Sequence, residues 1–293
     1  MKTLPLRHFL LALAVVAVWG SNFTVAKLGL RDIPPLFFTF LRFFFVFFPL
    51  AFFIRRPPVP LRLLAAYGLL IGAVQFGFLY AALEHDISPG LASLVVQIQV
   101  FVTIGLSMGF SGERVKPFQW AALLLAASGL AIIVLHGGAD ATPLGVVLVV
   151  IAACGWAGGN QVSRMSGPVD MLGYVVWSSV FALPPLLLAA LVLDGWPAIA
   201  SGVTRAGAAT WAAVAYQSVA NTMFGYGVWG WLLSRYPAAT VAPLSLLVPV
   251  FGFTVSAMVL GEAFALWKLA AGLLVLGGLA FNLLWPRLRP QPS

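Results

Sequence analysis

The order of apolar and polar residues divides the chain into ten hydrophobic runs separated by short polar or proline-bearing joints. They cover approximately 8–30, 34–54, 62–83, 88–110, 116–136, 143–164, 169–193, 207–232, 238–260 and 264–285. Each reaches the roughly 20 residues that an α-helix needs to cross a bilayer core. Pro34, Pro35, Pro57, Pro58, Pro89, Pro117, Pro143, Pro168, Pro197 and Pro237 fall at or near the joints, where a missing N–H costs least. Short connections make successive helices antiparallel, so the pattern predicts an all-α integral membrane protein of ten transmembrane helices.

Composition agrees with that pattern. Of 293 residues, 61% are hydrophobic and 8% charged, against about 25% charged in a soluble domain. The mean hydropathy is +1.02. The net charge of +8 does not call for nucleic acid, because its distribution follows a membrane topology. With the N-terminus in the cytoplasm, inner ends and loops collect Lys2, Arg7, Arg55, Arg56, Arg62, Arg114, Lys116, Arg164, Arg235, Arg287 and Arg289. The outer side collects Lys27, Arg31, Arg205 and Lys268, so both termini are expected to be cytoplasmic. Lys2 and Arg7 ahead of an apolar run resemble a signal peptide, but the run continues to spanning length and cleavage is not expected. The single Cys154 offers no disulfide or metal framework, and no cofactor is expected.

The second half repeats the first. At an offset of 149, Ser107 matches Ser256, Gly112 and Glu113 match Gly261 and Glu262, and Gly129 matches Gly278. At an offset of 137, WGSNFTVAK (19–27) faces WAGGNQVSR (156–164). Five is odd, so the second half enters from the opposite side of the membrane. The expected domains are a first five-helix repeat at 1–137, a second at 143–286 and a cytoplasmic tail at 287–293. Inverted repeats of this kind place a solute site near the midplane of a transporter.

Polar residues at membrane depth are the candidate site. Asn22 lies about 20 Å along the first helix, where an unpaired amide is costly. Gly20, Ser21 and Asn22 fit either close helix packing or a cavity wall, and the large Trp19 favours the cavity. Asn160 and Gln161 stand at the matching place. Ser93, Gln97 and Phe101 share a face of the fourth helix, and Asn221, Thr222, Tyr226 and Trp229 form a set on the eighth. With Tyr80 and Trp156 they would make an aromatic, neutral, amide-rich cavity. Arg42 is a full charge near the middle of the second helix, readable as a contact for a substrate carboxylate or as a strut. Trp120, Trp196, Trp211, Trp231, Trp267 and Trp285 lie near span ends, where an interfacial belt accounts for them.

The chain resembles the drug/metabolite transporter superfamily, EamA type, and within it the bacterial amino-acid exporters, including the aromatic ones. The residues that carry the resemblance are WGSNF at 19–23, Pro34, Pro35, Leu41, Arg42 and Phe43, FLYAALEHDISPGLASL at 78–94, Gly112 with Glu113, YPAATVAPLSLLVPVFG at 236–252, and Gly261 with Glu262. The resemblance spans essentially the whole chain. It implies two inverted five-helix repeats moving small-molecule amino acids out of a cell by alternating access, in a bacterial-type inner membrane. The family often carries proline in both the fourth and ninth helices; here Val100 stands opposite Pro249. Pro243 and Pro249 free backbone groups in the ninth helix, which is expected to bend in gating.

The eight acids and three histidines are all placed in loops or at helix ends, leaving no proton carrier at the midplane. That favours facilitative transport, or coupling by groups near the faces. It disfavours organic-cation carriers that depend on a membrane glutamate, and an intramembrane hydrolase has no nucleophile and base to pair. Export of other metabolites or drugs is the alternative; a channel is more distant, and the oligomeric state is open, a monomer being compatible.

Overall fold

The structure, a computed structural model, describes residues 5–111, 117–136, 138, 140–167, 169–236 and 241–288. Gly112 and Glu113 of the repeat argument and the joint residues Pro168 and Pro237 lie outside them, as does the side chain of Pro243. The described helices are α1 (Leu6–Gly29), α2 (Pro35–Phe47), α3 (Leu61–His85), α4 (89–111), α5 (Pro117–His136), α6 (Pro143–Met165), α7 (Met171–Arg205), α8 (208–235), α9 (242–260) and α10 (Leu266–Leu288). Among the described residues there is no strand, only an isolated antiparallel bridge between Ile87 and Ala141. Six segments are long and apolar enough to cross a membrane: α1, Pro35–Phe52, α3, α5, α6 and α7. Shorter apolar helices are Pro89–Thr103, Leu244–Leu260 and Leu266–Asn282. The segment α8 is less apolar because Gln217, Ser218, Asn221 and Thr222 all lie on it and are buried.

Two hydropathy boundaries move. The sequence ends the seventh run near Leu193, but α7 continues through a π turn at Ala190–Gly195 into Trp196–Arg205. Gly195 takes φ 83°, a left-handed backbone that suits glycine, and Pro197 sits in the first turn, where its missing N–H has no intrahelical partner to lose. Only Ile199 and Gly202 of this extension are buried, and Trp196 is exposed, so it is an amphipathic surface helix. The second run shortens instead, since α2 stops at Phe47 and a 3-10 turn follows at Leu50–Phe52.

Departures from α-helix recur in register between the halves. The middle of α3, Gly68–Phe76, and the middle of α8, Tyr216–Phe224, are both nine-residue π segments followed by glycine. A 3-10 turn at Val96–Ile98 breaks α4, and one at Ala242–Leu247 opens α9. Packing has a matching pattern: α2 lies on α7, α4 on α9, and α5 on α10. The contact of α1 with α9 is mirrored by α6 with α4, and that of α3 with α6 by α8 with α1.

Small residues set the approach distances. A methyl group on Gly20 would lie 2.4 Å from Phe251 Cβ and 2.6 Å from the Val248 carbonyl, and one on Gly252 would collide with Ser93. Hence α1, α4 and α9 cross nearly backbone to backbone. One end of this crossing is tied by charge. Lys268, 2% exposed, pairs with Glu262 at 3.1 Å and Asp140 at 2.9 Å. The Glu262 carboxylate accepts from Ser88 Oγ, Ser256 Oγ and the Gly90 N–H, which binds the α9–α10 turn to the first turn of α4. Large exposed leucines, valines and phenylalanines cover the outside of the bundle, as a lipid solvent requires.

Candidate functional site

The polar groups at membrane depth converge on Arg42 of α2. This side chain is fully buried, and its Nε donates to Thr222 Oγ1 at 3.0 Å. Nη1 donates to Gln217 Oε1 at 3.2 Å and to the Tyr80 hydroxyl, and the guanidinium lies 3.6 Å from the Phe76 ring centroid. Tyr80 in turn donates to Gln217 Oε1 at 2.9 Å and to Asn22 Oδ1 at 3.2 Å, while Gln217 Nε2 donates to the Asn22 carbonyl. The amide of Asn221 sits 3.0 and 3.1 Å from the two Nη atoms. As placed, its Nδ2 donates to Asn22 Oδ1 at 2.7 Å and Gln217 Oε1 at 2.9 Å; turning the amide exchanges these bonds for acceptance from the guanidinium and removes the donor-to-donor contact with it. Among the described residues no carboxylate pairs with Arg42. Neutral acceptors and an aromatic face hold the cation, so its charge is solvated without being cancelled.

Beside this network lies a void bounded by Trp19, Asn22, Gln75, Trp156, Asn221 and Tyr226, with Phe76 and Val248 closing it further. These residues come from α1, α3, α6, α8 and α9, and include three of the aromatic and two of the amide residues singled out in the sequence. Trp19 is fixed by its Nε1, which donates to the Asn221 carbonyl at 3.3 Å, and by ring contacts with Tyr226 and Trp229 at 5.5 and 5.1 Å. The void holds about 30 Å³, room for about two water molecules. An amino acid does not fit until helices move.

The other expected residues lie elsewhere. Ser93 donates to the Gly90 carbonyl inside the α4–α9 crossing, and Gln97 reaches the Ser245 carbonyl at 3.1 Å, joining the two 3-10 turns. Phe101 packs on the core, and Asn160 donates to Gln99 Oε1 at 3.3 Å. Trp229 backs Trp19. Pro249 is buried in the first turn of the α-helical part of α9, directly after the 3-10 turn that contains Pro243. Sequence reasoning missed Gln217 and Gln75. Both are glutamines in apolar surroundings on π segments, and that isolation was the available signal. Among the described residues no group of three or more His, Cys, Asp or Glu side chains is arranged to hold a metal.

The family model described as the EamA-like transporter family matches residues 6–135 and 143–284. The chain belongs to the EamA-like transporter family. This EamA-like protein is thus a membrane transporter and not an enzyme. It is 40% identical over 285 residues to a probable amino-acid metabolite efflux pump of Salmonella typhimurium, covering 95% of each chain. The identity and coverage are the same for the Escherichia coli K12 protein of that description. A solved crystal structure resembles the transporter with a TM-score of 0.65 at 20% identity, covering 97% of this chain and 99% of that one, which supports the fold alone.

Proposed function

We propose that this EamA-like transporter exports amino acids, with aromatic and other neutral ones preferred, across a bacterial inner membrane by alternating access. Its ten helices all cross the bilayer as two inverted five-helix repeats, 1–137 and 143–286, with both termini and the 287–293 tail cytoplasmic. The paired π segments, the paired 3-10 turns and the mirrored helix contacts support the twofold relation. An odd number of crossings in each half then inverts the second half.

The observation that carries the substrate reading is the void itself, neutral, walled by indole, phenol and amide groups, and backed by the uncancelled cation Arg42. An aromatic side chain stacks on Trp19 and Trp156, and a carboxylate is drawn toward the Asn22 and Asn221 amides by the charge behind them. Arg42 acts from behind these amides, because Nε and Nη1 already bond Thr222, Tyr80 and Gln217 and the Asn221 amide lies against Nη2. The small volume corresponds to a closed step of the cycle. Bending at the 3-10 turn containing Pro243, just ahead of Pro249, is the motion that opens it.

The test is exchange in liposomes containing the purified protein, with radiolabelled phenylalanine, threonine or methionine outside and unlabelled amino acid inside. Saturable, preload-stimulated entry is expected. Passive, unsaturable flux would instead fit a channel.

A further inference from the structure

We infer that Gln75 is the ammonium subsite of this transporter, its side-chain oxygen accepting a hydrogen bond from the α-amino group of the transported molecule. The inference deepens the amino-acid reading above and rests on it. Among the described residues three buried side-chain polar atoms lack a hydrogen-bond partner: Thr24 Oγ1, Gln75 Oε1 and Asn282 Oδ1. Of these residues only Gln75 borders the void. It is 3% exposed, so bulk solvent does not satisfy it. An acceptor left bare at membrane depth is costly, and a void with room for about two waters lets a ligand donor take their place.

The charge around the void selects which end of a zwitterion goes where. The Asn22 and Asn221 amides are joined to Arg42 through Tyr80 and by direct contact, so that region repels an ammonium and attracts a carboxylate. Gln75 belongs to a different helix, α3, within its π segment, and offers an oxygen with no donor of its own. The amide also hydrogen-bonds to the Tyr226 hydroxyl while its oxygen stays bare, and that contact fixes which end of the amide is left open. The site therefore distinguishes a free α-amino acid from an N-blocked one. A cationic side chain gains nothing, because the single bare acceptor is taken by the α-ammonium.

The experiment compares wild type, Gln75→Leu and Gln75→Glu in liposome exchange. Phenylalanine, threonine and methionine are the labelled probes, and N-acetylphenylalanine and phenylalanine methyl ester the competitors. Leucine at 75 should raise the half-saturating amino-acid concentration by about 10- to 100-fold, the range for a lost hydrogen bond to a charged group. It should leave N-acetylphenylalanine competition unchanged. Glutamate, which keeps the acceptor and adds charge, should retain amino-acid exchange, whereas an amide with a purely structural role would be lost in both variants. Wild-type-like exchange by the leucine variant, or equal loss for free and N-acetylated phenylalanine, overturns the subsite while leaving the amino-acid reading intact. No exchange of any probe by the wild type overturns both.

Discussion

Replacing Lys268 with methionine tests the charge cluster that ties α9 and α10 to α4. Methionine keeps the unbranched stem of the side chain and removes its charged end. Glu262 then loses its cation, while its side chain stays 7% exposed and keeps only neutral donors from Ser88, Gly90 and Ser256. Breaking a buried pair from one side costs about 3–5 kcal/mol. Asp140 is 49% exposed and recovers water, so its share is at most about 1 kcal/mol. The expected order is therefore Lys268→Met well below wild type and Asp140→Asn near it. The double variant Lys268→Met with Glu262→Gln should recover about 2–3 kcal/mol of the loss, because glutamine still accepts from Gly90 and no charge is stranded. Equilibrium unfolding in detergent with increasing SDS, followed by far-UV circular dichroism, reads all of these. A Lys268→Met protein within about 1 kcal/mol of wild type would refute the reasoning, since even a low estimate for a stranded carboxylate exceeds that.

Arg42→Met should fold with stability within about 2 kcal/mol of wild type, because removing an uncancelled buried cation offsets its lost hydrogen bonds. Gln217 Oε1 also keeps the Tyr80 donor. The same variant should lose at least about 10-fold in exchange rate at low substrate, as about 1.4 kcal/mol of attraction for a carboxylate disappears; unchanged exchange would show Arg42 to be a strut only. Gly20→Ala should destabilise by about 1–3 kcal/mol through overpacking against Phe251 and the Val248 carbonyl. Gly105→Ala, which meets no heavy atom within 4 Å, should be neutral or stabilising by less than about 1 kcal/mol in the same unfolding assay. Exchange at equal internal and external pH should match exchange under an imposed proton gradient, and a robust proton-driven current would contradict facilitative transport.

The helices were legible in the sequence because lipid demands long unbroken apolar runs and the prolines mark where those runs stop. Several residues of the buried polar network were legible for the same reason. Asn22, Arg42 and Asn221 stand out against their runs, and burial forces them to find protein partners. What periodicity did not supply was the π geometry. On α4 it is the tighter 3-10 turn at Val96–Ile98 that interrupts the face drawn through Ser93, Gln97 and Phe101 on regular α spacing, and none of the three borders the void; Gln75 and Gln217, on the wider π segments of α3 and α8, were overlooked. Lys268 was read only as one of the charges collected on the outer side. Its burial follows from Glu262 and Asp140, which approach it from other turns of the chain. The extension of α7 past Asp194 was hidden because Gly195 and Pro197 carry the signs of a break, although each also fits the start of a new helix.

The central claim is that a closed aromatic and amide void opens alternately to the two sides and carries amino acids through. Counterflow tests it most directly: purified protein in liposomes at equal pH, labelled phenylalanine outside, with and without unlabelled amino acid inside. Preloading should accelerate entry, unlabelled threonine and methionine should compete from outside, and Trp156→Ala, which removes one wall of the void, should weaken phenylalanine competition by about 10-fold or more. Entry indifferent to preload and to all three amino acids would contradict the account.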